Sequence, residues 1–209
     1  MDKVEKAASS FVDISKLNLT DFRNHSFTSI ETDKKFVAFV GRNGSGKTNV
    51  IEAISMFSSG KGLRGAQLSE QSNIKGNGGW SIFMEVKTAK GITKLGTGIG
   101  SSQMMEGKAR QCRVDGKFLK SSREFTNHVG IIWLTPQMDR LFIGQRTDRR
   151  KFFDKLVCLI ESSHEKNIKD YDRLIMQRNR VLVDMDDKKT WLDKIEKQIS
   201  KIAANILIS

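Results

Sequence analysis

The sequence has few cysteines, which can crosslink a fold, and few prolines, which interrupt helices and strands. Its 209 residues include 2 cysteines, 1 proline and 1 tyrosine. Cys112 and Cys158 do not have metal-ligand spacing, so no zinc site is indicated, and both should remain thiols in a reducing compartment. No segment approaches the roughly 20 apolar residues that a membrane-spanning helix needs. The first twelve residues, an expected N-terminal extension, begin too polar for a secretory signal, so we expect a cytoplasmic protein without a membrane partner.

Acidic residues are the minority charge. The chain has 24 of them against 36 lysines and arginines, for a formal net charge of +12. This balance favours a polyanionic partner such as a nucleic acid. A solvated, lysine-rich surface would give the same count, so charge alone does not decide between the two.

A glycine-rich octet matches the pattern G-x-x-x-x-G-K-[ST] at every position. Its residues are Gly41, Arg42, Asn43, Gly44, Ser45, Gly46, Lys47 and Thr48. Glycines let consecutive backbone N–H groups curl around a phosphate, and the helix that follows adds the positive end of its dipole. Lys47 would reach the outer phosphates, and the Thr48 hydroxyl would bind Mg²⁺. The octet therefore predicts a site for a nucleoside triphosphate.

The segments on both sides of the octet fit this interpretation. Residues Phe36–Val40 are apolar at every position, which predicts a strand buried on both faces of a sheet. After the octet, apolar residues recur at helical spacing until the glycine-rich segment Ser58–Gly62: Val50, Ile51, Ala53, Ile54 and Phe57. A chance glycine-rich turn would not need a strand before it and a helix after it.

The rest of the chain divides into a β-rich part and a helical part. Predicted elements are strands at Asp13–Phe22, Phe27–Thr32 and Gly130–Leu134, an antiparallel meander over Trp80–Lys120, and a short helix at Ser122–His128. Two long helices, Glu165–Val183 and Lys188–Ile208, should pack antiparallel around a "DMDDKK" turn. Their predicted seams are Ile168, Tyr171, Ile175, Arg178 and Leu182 on one helix, and Trp191, Ile195, Ile199, Ile202 and Ile206 on the other.

Other classes of phosphate-loop protein have less support. A GTPase needs N-K-x-D and D-x-x-G elements, and neither string occurs. A small-molecule kinase needs an arginine-bearing lid, for which Arg146–Lys151 is the one candidate. With Asp148 and Asp154 interspersed, that segment is equally typical of a solvated helix face.

Several motifs in one order resemble the N-terminal half of the RecF family, bacterial recombination mediators related to SMC and Rad50 heads. They are "LNLTDFRN" at Leu17–Asn24, the loop "GRNGSGKTNVIEAI" at Gly41–Ile54, "GKGLRGA" at Gly60–Ala66, and "WLTPQMDRLF" followed by "DRRKFFDKLV". The resemblance runs from about Ile14 to the last residue. It is more specific than the phosphate loop alone.

The resemblance implies an α/β fold, namely a P-loop NTPase of the ABC/SMC head type that is incomplete here. It implies an ATP-binding head over 13–160 with the β meander at 80–120, and the start of a helical coiled-coil arm over 161–209. The implied cofactors are ATP and Mg²⁺. The implied activity is DNA replication and recombinational repair within the SOS response, through binding of single-stranded or gapped DNA and recombinase loading. Implied partners are a second copy, in an ATP-dependent homodimer, and recombination mediator proteins.

The resemblance also implies roles for residues outside the loop. Arg23 would lie near the nucleotide, and Arg64 near the nucleotide and dimer surface. Gln137 would link Mg²⁺ and the attacking water to the rest of the head. By chemistry alone, Gln137 suits a helix cap or a surface position equally well, and a lone arginine in a glycine-rich loop such as Arg64 is usually solvated.

Two elements of a complete ATPase site are missing from the sequence. Hydrolysis in this class needs an acidic pair after a buried strand, and a serine-glycine signature loop that completes the site across a dimer. "LSEQ" at Leu68–Gln71 is similar to part of a signature loop, but it does not precede an acidic strand. "VLVD" at Val181–Asp184 is similar to a strand that ends in an acid, but Leu182 fits the apolar stripe of a helix. We therefore expect a fragment that ends within its arm, and whether it is an enzyme stays open. The alternative to an active ATPase is a nucleotide-binding remnant without turnover.

Overall fold

The structure is a computed structural model that describes residues 12–88, 91–100, 110–161, 163–184 and 189–208. Packing divides the chain into two compact units, one ending at Trp133 and the other beginning at Leu134. The head and arm boundary expected after residue 160 stays a prediction. Nearly all of the expected N-terminal extension lies outside the described residues.

The first unit is built on a six-stranded antiparallel sheet in the order β2-β1-β3-β4-β5-β6. The strands are β1 (Asp13–Phe22), β2 (His25–Glu31), β3 (Trp80–Thr88), β4 (Gly91–Ile99), β5 (Gln111–Val114) and β6 (Lys117–Phe118). This confirms the two predicted N-terminal strands and the predicted meander. The period of two in the sequence arises because alternate side chains of each strand face the core.

Helix α1 (Lys47–Ser55) packs against one face of this sheet. The core contains, from the strands, Leu17, Leu19, Ile82, Met84, Val86 and Leu95 and, from α1 and its end, Val50, Ala53, Met56 and Phe57. Each of these side chains other than Ala53 stabilises the fold by about 1.5 to 3 kcal/mol relative to solvent exposure. The short helix predicted near residue 125 is present with 3-10 geometry at Ser122–Asn127, and Phe125 packs edge-on against Phe57.

Two predicted strands are wrong. Phe36–Val40 and Gly130–Leu134 do not form strands, and Phe36 and Val40 are 94% and 92% exposed. A strand buried on both faces needs neighbours that accept its backbone hydrogen bonds. No strand in the described part of the chain lies beside either segment, so their apolar composition alone does not create a strand. Only Phe39 of the first segment packs against the core.

The second unit is helical. It contains a 3-10 turn at Pro136–Arg140 and helices α2 (Arg146–Ile160), α3 (His164–Asp184) and α4 (Lys189–Ile208). His164 is buried at the start of α3, with its Nε2 atom 3.3 Å from the Asp154 carboxylate of α2. No helix in the described ranges is both long and apolar enough to cross a membrane.

Helices α3 and α4 form the predicted antiparallel pair. Arg178 of α3 donates to the Glu196 carboxylate of α4 at 2.7 Å, which brings together residues on either side of the turn. The turn itself, at 185–188, lies outside the described residues. The seam is correct at its centre, where Ile195 is buried, but wrong towards the turn, because Leu182 and Trp191 are 41% and 60% exposed. Leu174, which was not assigned to the seam, is buried.

Candidate functional site

The glycine-rich loop connects the exposed segment Phe36–Val40 to helix α1. Gly44 and Gly46 have φ angles of +82° and +95°, a left-handed conformation that side chains with a Cβ rarely adopt. Gly46 is the N-cap of α1, and the first turn of the helix contains no acidic residue. The positive end of the helix dipole is therefore not neutralised by an acid of its own first turn.

Several backbone donors of the loop are unpaired. The Ser45 N–H closes a turn by donating to the Arg42 carbonyl at 3.2 Å. In contrast, the N–H groups of Gly44, Gly46, Lys47 and Thr48 donate to no acceptor within the described part of the chain. Adjacent N–H groups that remain free at a helix N-terminus form a binding site for an anion.

The Lys47 side chain folds back over the same loop. Its ammonium donates to the carbonyl oxygens of Gly41 and Arg42 at 2.6 and 2.7 Å. The Thr48 side chain is exposed in the first turn of α1, where its hydroxyl oxygen suits a hard cation such as Mg²⁺. Free amides, one ammonium and one hydroxyl are the donor set that a magnesium–triphosphate group requires, so the residues present fit this ligand.

A buried carboxylate anchors α1 beside the loop. Glu52 is fully buried, and its two oxygens accept from Arg23 Nη2 at 2.6 Å and Nε at 3.0 Å. Arg64 Nη1 donates to the same carboxylate at 2.8 Å and to Asn49 Oδ1 at 3.0 Å. Two arginines that are distant in sequence are thus fixed to the helix that follows the phosphate loop.

A second arginine contact fixes the other end of α1. The mostly buried Arg110 donates to the carbonyls of Met56 and Gly60, the latter at 2.9 Å, and to Thr97 Oγ1 at 2.8 Å. Burial lowers the pKa of this guanidinium, because the charged form loses solvation. A cation at this end complements the negative end of the helix dipole.

The structure places the two arginines singled out from the sequence in one cluster. The Arg23 guanidinium donates to the Glu52 carboxylate and, at 2.8 Å, to the Glu70 carbonyl. The neighbours of Arg23 in the β1–β2 turn contact the loop. Arg64 shares Glu52 with it, and its side chain is 42% exposed. The predicted approach of either arginine to a nucleotide stays a prediction.

Gln137 belongs to the second unit. It is exposed in the 3-10 turn Pro136–Arg140 and borders a cavity of about 310 Å³ together with Asp148 and Lys151. Its predicted roles in magnesium binding and water activation stay predictions.

Sequence reasoning missed three residues at this site: Asn24, His25 and Glu52. Asn24 and His25 contact the loop from the β1–β2 turn. The available signal for Glu52 was an acid within the apolar stretch "VIEAI", because an acid on the core side of a helix needs a cationic partner. Nothing in the sequence identified that partner.

Comparison with known proteins gives a consistent result. A family model described as an AAA ATPase domain matches residues 13–208. The DNA replication and repair protein RecF of Agrobacterium fabrum is 39% identical over 200 residues, which is 95% of this chain and 52% of that protein. RecF of Allorhizobium ampelinum is 40% identical over 189 residues, 90% of this chain and 50% of its own length. The chain spans about half the length of the curated relatives it matches.

A solved structure supports the same fold. The recombination mediator protein RecF, determined with ATP, matches 95% of this chain and 52% of its own chain, with a TM-score of 0.76 at 21% identity. The predicted fold class, a P-loop ATPase head with an antiparallel β subdomain, is confirmed. The resemblance to RecF proteins read from the motifs is also confirmed, and the chain belongs to the AAA ATPase domain family.

Proposed function

We propose that this chain binds ATP with Mg²⁺ at Gly41–Thr48, as part of a RecF-type ATPase head that acts in DNA replication and recombinational repair. The observation that supports this most is the set of free N–H groups at Gly44, Gly46, Lys47 and Thr48, in the same loop that the Lys47 ammonium contacts. The RecF relatives support the assignment of ATP as the nucleotide.

In this proposal each residue of the loop has one task. The free amides donate to phosphate oxygens, and Lys47 exchanges the carbonyls of Gly41 and Arg42 for the outer phosphates. The Thr48 hydroxyl would be a ligand of Mg²⁺, and Gln137 is proposed as a second one that would also orient the attacking water. Bound magnesium would supply the positive charge that stabilises a leaving phosphate.

Nucleotide binding is tested by titrating the chain with a fluorescent ATP analogue in the presence of Mg²⁺. Lys47→Ala should weaken binding at least about ten-fold, because an ammonium that contacts phosphate is lost. Lys75→Ala removes the same charge from an exposed residue of the same unit and should leave binding unchanged. Equal affinity in wild type and Lys47→Ala would exclude the loop as the site.

The proposed DNA activity is binding of single-stranded or gapped DNA, with recombinase loading in the complete protein. The net charge of +12 supports contacts from lysines and arginines to phosphates. Such binding should be independent of sequence and should weaken by orders of magnitude between about 50 and about 200 mM salt. Fluorescence anisotropy with single-stranded and gapped oligonucleotides measures this, and a salt-independent affinity would exclude it.

The proposed partners are a second copy of the chain, in an ATP-dependent homodimer, and recombination mediator proteins. The proposed location is the cytoplasm. Light scattering with and without Mg-ATP tests the dimer, which should form only with the nucleotide. A monomer under both conditions would show that this chain does not dimerise by itself.

The second candidate function is nucleotide binding without turnover. It is supported by the absence from the sequence of an acidic pair after a buried strand and of a signature loop. Steady-state phosphate release separates the candidates. Turnover that Lys47→Ala abolishes supports an active ATPase, whereas ATP binding without phosphate release supports the second candidate, which we expect for this chain alone.

A further inference from the structure

The turn between β1 and β2 lies against the phosphate loop. Asn24 Nδ2 donates to the Gly44 carbonyl at 3.3 Å, and His25 Nε2 lies 3.3 Å from the Gly46 carbonyl oxygen. The contact leaves no gap: a Cβ atom added to Gly46 would lie 2.5 Å from His25 Nε2 and 2.7 Å from Asn24 Oδ1. Two adjacent side chains of one hairpin therefore contact Gly44 and Gly46, the glycines of the phosphate loop that have left-handed φ angles.

The partners of His25 define its tautomer. A carbonyl oxygen only accepts, so Nε2 carries the proton that is donated to Gly46. In the neutral ring Nδ1 then accepts from the Thr28 hydroxyl, at 2.8 Å. Because Thr28 lies on β2, one ring nitrogen of His25 contacts the sheet and the other contacts the loop.

Asn24 is held in a similar way. Its Oδ1 atom accepts from Asn49 Nδ2 at 2.8 Å, while its amide nitrogen donates to Gly44. One amide group therefore connects the loop to the first turn of α1. Asn49 in turn accepts from Arg64, which links this contact to the Glu52 cluster.

Within a trans peptide, the direction of the carbonyl also determines the direction of the next residue's N–H group. The carbonyl of Gly46 and the N–H of Lys47 belong to one planar unit and point in opposite directions. The Gly46 carbonyl accepts from the Asn49 and Val50 N–H groups of α1 at 2.9 and 3.1 Å, and His25 is a third donor to it from the hairpin side. The Lys47 N–H of the same peptide points the opposite way, and it is one of the amides without an acceptor in the described part of the chain. Asn24 contacts the carbonyl of the peptide between Gly44 and Ser45, whose N–H donates to the Arg42 carbonyl, so this contact supports the turn of the loop and does not orient a free amide.

We infer that His25 and Asn24 are positioning residues of the phosphate loop, which hold its Gly44 and Gly46 carbonyls against the β1–β2 turn and so keep the loop in the conformation whose free amides face a bound triphosphate. This inference rests on the proposed function. It assigns part of the nucleotide affinity to a hairpin outside the glycine-rich octet. In this inference the side chains act through the loop backbone.

The test measures affinity for a fluorescent ATP analogue with Mg²⁺ in a matched set of variants. His25→Phe keeps the ring volume but has no donor, and His25→Gln returns an N–H close to the position of Nε2. We expect His25→Phe and Asn24→Ala each to weaken binding about five-fold, the effect of one hydrogen bond, and His25→Gln to bind as wild type does. Ser29→Ala, on the same hairpin, removes a contact to Asn18 only and should have no effect.

Thermal unfolding without nucleotide accompanies each titration. A merely structural role would lower the melting temperature of His25→Phe and Asn24→Ala and leave the affinity of the folded protein unchanged, whereas a positioning role weakens the binding that is measured well below the melting temperature. If Asn24→Ala does not fold, the comparison of His25→Phe with His25→Gln still decides. Binding by His25→Phe as tight as wild type, with Lys47→Ala impaired, would overturn this inference alone. If wild-type protein binds no nucleotide, the proposed function fails, and this inference fails with it.

Discussion

The guanidinium of Arg23 and the buried carboxylate of Glu52 form a two-point ion pair, with N–O distances of 2.6 and 3.0 Å. Because Arg64 shares this carboxylate, removal of Glu52 leaves two cations without their counter-ion. We expect Glu52→Ala to lower the free energy of unfolding by about 3 kcal/mol, measured by urea denaturation. Glu31→Gln, which breaks an exposed pair with Lys16, is the control and should change it much less. Equal effects would show that the buried cluster does not stabilise the unit.

Gly44 and Gly46 provide a matched pair of loop variants. Both have left-handed φ angles, but a Cβ at Gly44 meets nothing within 4 Å, whereas a Cβ at Gly46 overlaps His25 and Asn24. We expect Gly44→Ala to cost about 1 kcal/mol of stability and Gly46→Ala about 3 kcal/mol, because overlap adds to backbone strain. Denaturation curves of the two variants measure the difference. A Gly46→Ala protein as stable as Gly44→Ala would contradict the tight contact between hairpin and loop.

Arg110 is expected to stabilise the far end of α1. Arg110→Ala leaves the carbonyls of Met56 and Gly60 without this donor and should lower the free energy of unfolding by about 3 kcal/mol. Arg110→Lys should recover only part of the loss, because an ammonium lacks the planar fork of donors. Full recovery by lysine would mean that the charge alone matters.

Cys158 provides a test of the second unit. Burial, together with Glu165 and Asp154, raises the pKa of its thiol. A raised pKa leaves less thiolate at a given pH, so in a Cys112→Ser background Cys158 should react with a disulfide reagent several-fold more slowly than free cysteine at pH 8 or so. Full reactivity should return in urea.

The raised pKa of the Cys158 thiol also predicts that the protein becomes less stable as the pH rises. The unfolded thiol ionises first as pH rises, so stability falls once pH exceeds the ordinary thiol pKa. Cys158→Ser should remove this alkaline loss. A folded protein whose Cys158 reacts as fast as free cysteine would contradict the packing of α2 against α3.

The sequence was sufficient for local features and insufficient for features that depend on neighbours. The loop Gly41–Thr48 was predictable, because its glycines and lysine form one contiguous pattern. The segments Phe36–Val40 and Gly130–Leu134 were predicted as strands from composition, but a strand also requires partners, and the described sheet provides none for them. Glu52 and His25 escaped prediction because their contacts to Arg23 and Gly46 connect residues 29 and 21 positions apart.

The central claim is that free amides of the loop hold a triphosphate, and hydrogen–deuterium exchange of the backbone tests it most directly. With a non-hydrolysable ATP analogue and Mg²⁺, the peptide that contains residues 44–48 should exchange more slowly, and Lys47→Ala should remove most of this protection. A peptide from β3, Trp80–Thr88, should exchange at the same rate with and without the nucleotide. If nucleotide leaves the exchange of residues 44–48 unchanged at concentrations that saturate binding, the phosphate loop is not the binding site.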